Sequence, residues 1–389
     1  MRLICYIVIL SLPLFLLNSC VSTGGERLQY RELRVFTTNF EVSYKVIYES
    51  NQPYLYISAP AANYRLQLRA YIGDTKTTIL WKQDHEFRDS LTQLVHKIKL
   101  DIATTNFALD IRILNSNEQV LFHDLYYANR IMNSGETIYL TDIAGVPLFK
   151  SYLTTEQGFK INHNADSIVR FYIRYYKDPF KPAPPPYSRN MGLFNPIQKQ
   201  FDELFVVTRG KELKLTAEGM YFIQTDTQST KGIYINYFGP EYPKMTRVSD
   251  LVLATRYITK NDEYEAMNNA KNQKAALDQY WLARNKKSIE AKRLISLYYN
   301  RMQEANSMFT SFKEGWKTDM GLIYAIFGKP SIVRKYSDKA VWYYSHAQGR
   351  FPVEFVFIKY SGQYVLERSG NLREPWNAEI LNWRIGKVE

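Results

Sequence analysis

The spacing of apolar residues changes once along the chain, near residue 259, and this change limits the fold more than any other feature. Before it, apolar and polar residues alternate. In Tyr64-Arg65-Leu66-Gln67-Leu68-Arg69-Ala70-Tyr71, Leu66, Leu68 and Ala70 share one face of a strand, and Arg65, Gln67 and Arg69 share the other. Phe107 to Ile113 repeats the pattern, and Tyr54 to Ile57 is a shorter run of strand formers. Turn residues at Asn51-Gln52-Pro53, Gly73-Asp74 and Asn115-Ser116-Asn117 separate these runs. Short strands with one wet face, divided by turns, predict a β-sandwich over residues 20–130.

Residues 131–258 continue in the same style. Ser167 to Tyr176 is a long aromatic and β-branched run, followed by a segment holding Pro182, Pro184, Pro185 and Pro186. That segment favours an extended, stiff conformation and reads as a long loop of a second β-sandwich. Strand signals resume at 203–207, 219–224 and 232–238, and Gly239-Pro240 ends them.

Beyond residue 258 the period becomes helical. Residues 259–312 contain neither proline nor glycine. Leu294, Leu297, Tyr298, Met302, Ala305, Met308, Phe309 and Phe312 recur at intervals of mostly three and four, which makes one apolar stripe. Tyr264, Met267, Leu277 and Trp281 imply an earlier helix, and a break at 284–287 with Ser288 as N-cap predicts a helical hairpin. The stripe is expected to pack on the protein's own domains.

Residues 313–389 carry the most specific signal. They open with Gly315-Trp316-Lys317-Thr318-Asp319 and continue through Gly321, Tyr324 and Gly328 to Pro330, with Trp342-Tyr343-Tyr344 downstream. Thr318 is placed to cap a helix, and Asp319 suits its positive end. Leu322, Ile323, Ile326 and Phe327 form an apolar face, Gly328 occupies the left-handed position after the helix, and Pro330 prevents continuation. Strands at 341–344, 352–359 and 363–368 and a short helix opening at Glu374-Pro375-Trp376 complete a small α+β module. Trp316 reads as a core anchor, with a ligand platform as the alternative. Asp319 reads as a capping residue, with an acid or base role as the alternative.

The motif resembles the GWxTD-domain family of bacterial envelope proteins. Gly315, Trp316, Thr318, Asp319, Gly321, Tyr324, Gly328, Pro330 and Trp342 carry the resemblance, and Val248 to Leu253 looks like a segment preceding the helices in such proteins. Lys329 stands where the family often has a second proline. The resemblance implies an architecture rather than a reaction, with the motif serving a structural or docking purpose.

At the other end, Leu3 to Leu17 is an almost continuous apolar run. It falls short of the roughly 20 residues that cross a bilayer as a helix, and Pro13 weakens it further. It reads as a signal peptide over residues 1–19. Leu17-Asn18-Ser19-Cys20 resembles a bacterial lipobox, which implies lipidation of Cys20, with palmitate among the acyl chains. More than one acyl chain makes such anchoring stable. Val21, rather than aspartate, follows the cysteine, so the outer membrane is expected, with the protein facing the periplasm.

The remaining chemistry is sparse. The two cysteines, Cys5 and Cys20, are too few for a disulfide framework. The five histidines, His85, His96, His123, His163 and His346, form no paired-ligand motif, so neither a metal nor a cofactor is expected. No nucleophile elbow, phosphate loop or dinucleotide fingerprint is present. The net charge is +12, and +10 of it lies in residues 181–389. An acidic glycan or an anionic lipid surface would suit that charge; nucleic acid would not suit an envelope protein. The expected function is therefore non-enzymatic: a lipid-anchored structural or docking component of a cell-envelope complex, bound to an envelope protein. The alternative is a glycan- or peptidoglycan-binding protein or a cell-wall enzyme.

Overall fold

In a computed structural model of the chain, the described residues are 33, 35–36 and 40–388, except 51, 61, 73–78, 88–94, 105, 130–136, 178–179, 190–198, 285–287, 346–351 and 361–362. The apolar run ending at Leu17, the lipobox with Cys20, and His346 lie outside them.

Seven antiparallel strands form the first sandwich: β1 (Ser43–Glu49), β2 (Gln52–Ser58), β3 (Tyr64–Ile72), β4 (Ile79–Phe87), β5 (Val95–Lys99), β6 (Asn106–Leu114) and β7 (Val120–Asn129). They make two sheets, ordered β1-β2-β5 and β4-β3-β6-β7. The alternation read from sequence sets which face is inside. Leu66, Leu68, Ala70, Leu109, Ile111 and Ile113 are fully buried between the sheets, with Leu55 and Ile57 opposite.

The outer face of the larger sheet is not wet along its whole length, which corrects the one-wet-face expectation. Ala108 and Asp110 on β6 are buried, and so are His123 and Leu125 on β7. Tyr71, Ala108, Leu125 and Tyr127 belong to the core of the C-terminal region. Asp110 lies between Arg112, at 2.8 Å, and His123, at 3.0 Å. On the inner face, level with Ile111, Asp124 receives the Tyr44 hydroxyl and both contacts of the Lys335 ammonium. Asp110 on the outer face and Asp124 on the inner one are thus paired, as buried charges must be, and Asp124 links this sandwich to the C-terminal module through Lys335.

The second sandwich holds β8 (Ile138–Asp142), β9 (Tyr152–Leu153), β10 (Phe159–His163), β11 (Arg170–Tyr176), β12 (Glu203–Thr208), β13 (Glu212–Leu213), β14 (Gly219–Gln224) and β15 (Ile233–Tyr237). Its sheets run β13-β10-β8 and β12-β11-β14-β15-β9. Phe159, Ile161, Phe171, Ile173 and Ile223 fill the space between them. The proline-rich segment is the connection between β11 and β12.

Helices follow: α1 (Val248–Ala254), α2 (Asn261–Asn268), α3 (Gln273–Arg284) and α4 (Ser288–Phe309). Residues 259–312 hold three helices rather than the two of a hairpin, because the chain turns at Asn269 to Asn272. Ser288 is the first helical residue of α4. Leu294, Tyr298, Met302 and Ala305 of the stripe are fully buried, so it packs internally; Met308 remains exposed.

The last part comprises α5 (Asp319–Phe327), the antiparallel sheet β16 (Ile332–Lys335), β17 (Lys339–Tyr344), β18 (Val353–Tyr360) and β19 (Gln363–Leu366), and α6 (Arg373–Ile385). The strand at 332–335 was not legible in the sequence, and α6 begins at Arg373, one residue before Glu374, and runs for 13 residues. Helices α1 to α6 and this sheet share one continuous core.

Candidate functional site

The motif is built where α4 ends. After Phe309 the chain turns back, and Gly315 to Lys317 form a single 3-10 turn pressed on the α4 backbone. A Cβ on Gly315 would lie 2.0 Å from the Ala305 carbonyl oxygen. Thr318 then caps α5: its hydroxyl accepts from the Gly321 N–H at 3.0 Å and donates to the Gly315 carbonyl at 2.7 Å. Gly321 in turn lets the first turn of α5 rest on Gly315.

Asn306 organises the turn from below. It is 1% exposed, lies on the buried side of α4, accepts from the Trp316 N–H at 3.1 Å and donates to the Pro243 carbonyl at 3.0 Å. The Gly315 N–H reaches the Tyr242 hydroxyl. Trp316 is 2% exposed and meets Tyr257 edge to face, at 6.0 Å between centroids. It is a core residue, and the platform alternative does not hold for it.

Asp319 is also internal. Its carboxylate accepts from the Leu366 N–H at 2.8 Å and forms a two-point pair with the Arg368 guanidinium. Asp319 and Arg368 keep 8% and 4% of their side-chain surface exposed. Asp319 thus does more than suit the helix end, because it ties α5 to the residues leaving β19.

The proline-rich segment crosses this network as a strap. The Ala183 N–H donates to the Lys317 carbonyl at 2.8 Å, and the Pro184 carbonyl accepts from Arg368 at 3.2 Å. The Lys181 carbonyl accepts from Lys313, and the Pro186 carbonyl accepts from the Ser369 N–H, each at 3.2 Å. Ala183 and Pro186 are buried three residues apart, and Phe180 stands on Phe312 at 5.0 Å. That period of three suits an extended proline-rich chain.

Two lysines are held inside. Lys317 pairs with Glu314 and is 2% exposed. Lys313 is 6% exposed, and burial pushes its ammonium down to about 8, with Asp319 and Glu314 opposing the shift. Beneath the strap lies a cavity of about 20 Å³, lined in part by Lys313, Thr318, Asp319 and Gln363. It has room for about one water.

The other motif residues serve the same body. The Tyr324 hydroxyl donates to Glu304 at 2.7 Å. Trp342 is buried against Phe36, Phe309 and Phe357. Gly328 ends α5 with φ +77° and ψ −154°, a conformation open to glycine but outside the left-handed helical basin expected for it. Pro330 is buried in the connection to β16. Sequence reasoning missed Asn306, Arg368, Lys313 and Tyr242. Asn306 alone left a signal, as a polar residue four positions after Met302 on the apolar stripe.

Among the described residues no group of three or more His, Cys, Asp or Glu side chains could hold a metal ion, and no helix is long and apolar enough to cross a membrane. No curated protein is similar enough to match the chain. Residues 219–385 match the family model of the GWxTD domain, a span from β14 to the last residue of α6. The strap that binds the motif precedes that span, whereas every motif residue lies within it, and residues 219–385 of the chain are a GWxTD domain.

Proposed function

We propose that this protein is a non-enzymatic component of a cell-envelope complex, a docking scaffold held at the periplasmic side of the outer membrane by lipid on Cys20. One observation carries the docking reading. The polar groups of the motif are engaged within the protein: Thr318 with Gly321, Asp319 with Arg368, Lys317 with Glu314. A motif used this way holds surfaces in place for a partner. The anchor rests on the lipobox. Mild crosslinking followed by pull-down tests the docking role; an envelope protein recovered at a fixed ratio is expected, and a strictly solitary protein would contradict it. Labelling with radioactive palmitate tests the anchor: Cys20→Ala is expected to abolish incorporation, and equal labelling would remove it.

A second reading, binding of an acidic glycan or an anionic lipid surface, is favoured by the cleft beside the strap. Arg189, Arg368 and Arg373 line it, and the Arg373 guanidinium lies 4.9 Å from the Tyr187 ring centre. Co-sedimentation with anionic vesicles or an acidic glycan, lost in Arg189→Glu/Arg373→Glu, would support this reading.

A further inference from the structure

Two edge strands of the sandwiches, β4 and β12, differ in a way that points to a partner. β4 is the terminal strand of its sheet and carries Lys82, Asp84, His85 and Glu86. Charges along an edge are the ordinary guard against unwanted pairing. β12 is the terminal strand of the five-stranded sheet, and between Glu203 and Thr208 it carries only Leu204, Phe205, Val206 and Val207. Leu204 is 44% exposed, Phe205 39% and Val206 59%. No proline or inward charge interrupts the strand.

The hydrogen bonding shows which groups are available. The register pairs Arg170 with Thr208, and the Arg209 N–H donates to the Val169 carbonyl at 2.9 Å. In an antiparallel ladder alternate residues face alternate neighbours. Odd-numbered residues of β12 therefore bond to β11, and the N–H and carbonyl groups of Leu204, Val206 and Thr208 point outward; the Thr208 carbonyl already accepts from the Lys211 N–H at 3.2 Å and has one further lone pair for a neighbouring strand.

The charge pattern is complementary to itself. Asp202 and Glu203 stand at the start of the strand, and Arg209 and Lys211 follow its end. Two copies aligned antiparallel about a two-fold axis through Val206 bond Leu204 of each to Thr208 of the other. The same register sets Glu203 of each opposite Arg209 of the other, twice by symmetry, with Phe205 against Val207. Arg209 contacts Asp166, which is 89% exposed, and keeps 26% of its own side chain exposed, so it can also meet Glu203 of the second copy.

We propose that β12 is a self-association edge, through which a second copy of this chain pairs antiparallel to make one ten-stranded sheet. A two-fold, self-complementary contact of this kind is the commonest route to a dimer, and strand addition supplies its main-chain bonds. It requires no envelope partner, so it stands or falls apart from the docking role.

Light scattering on the full-length protein in detergent tests it. Twice the monomer mass is expected for wild type and the monomer mass for Val206→Lys, with an unchanged circular dichroism spectrum because the side chain is exposed. Across the axis the two residues at 206 sit at a Cα separation of about 5.5 Å, within disulfide range. Val206→Cys is therefore expected to give at least tenfold more disulfide-linked dimer than Ile289→Cys, whose residue is 81% exposed elsewhere. A monomeric wild type, a dimer that survives Val206→Lys, or equal crosslinking of the two cysteine variants would each overturn the proposal.

Discussion

A Cβ built on Gly321 would stand 1.8 Å from the carbonyl oxygen of Gly315. The atom it meets is backbone, and that backbone is itself pressed on Ala305 and Asn306 of α4. Three stretches of main chain are thus stacked with no side chain between them. The two glycines of the motif are the means by which α5 and α4 approach so closely.

Gly315→Ala and Gly321→Ala are each expected to destabilise the protein by about 3 kcal/mol or more, the upper range for overpacking, since main chain on both sides prevents local relaxation. Urea unfolding followed by tryptophan fluorescence measures this. A loss below 1 kcal/mol would mean the stack can open without cost.

Lys313 gives a pH dependence of defined sign. Its folded value of about 8 lies below the 10.5 of an open chain, so between those values the unfolded state holds the extra proton. Stability from this group therefore rises as pH increases from 8 to 10.5, by roughly 2 kcal/mol. Lys45, half-buried and also lowered to about 8 by desolvation, acts in the same direction. Lys313→Met should flatten the rise between pH 7 and 9.5 relative to wild type, as read from urea midpoints at each pH.

Glu263 acts at the acid end. Its bonds to Arg384 hold the carboxyl down at about 2, against 4.5 in an open chain; the Lys260 N–H and Arg284 add to this and burial opposes it. The folded value is depressed, so the contribution is complete above pH 4.5 and is lost as pH falls toward 2. With 24% of its side chain exposed, water screens the pair, and the contribution is about 1–2 kcal/mol. Glu263→Gln should destabilise the protein at pH 6 by that amount and leave it unchanged at pH 2. Equal differences at both values would remove Glu263 as the cause.

Much of the architecture was legible because it rests on local period. Leu66, Leu68 and Ala70 alternate, and a strand must bury one such face. Leu294, Tyr298, Met302 and Ala305 lie on one helical face for the same reason. Thr318 as a cap followed from its place before an apolar run. What stayed hidden depends on groups far apart in sequence. Asp319 and Arg368 are separated by 49 positions, and Asp124 and Lys335 by 211. No local pattern tells which carboxylate meets which cation. The proline-rich composition of the strap predicts a loop, which it is, but its seat on Lys317, Arg368 and Ser369 follows from tertiary packing alone. Trp316 was legible as an anchor because a large apolar ring behind a short turn is best placed inside.

The central claim is that the motif holds the protein together and does not itself act on a ligand. A double-mutant cycle on Asp319 and Arg368, read by urea unfolding, tests it most directly. Asp319→Asn and Arg368→Met should each cost about 3 kcal/mol or more, because each strands a buried charge or its partners. The double variant should cost clearly less than the sum, with a coupling near 2 kcal/mol. Single variants that unfold like wild type, within about 0.5 kcal/mol, while losing a partner or ligand would contradict the claim and make Asp319 a functional group.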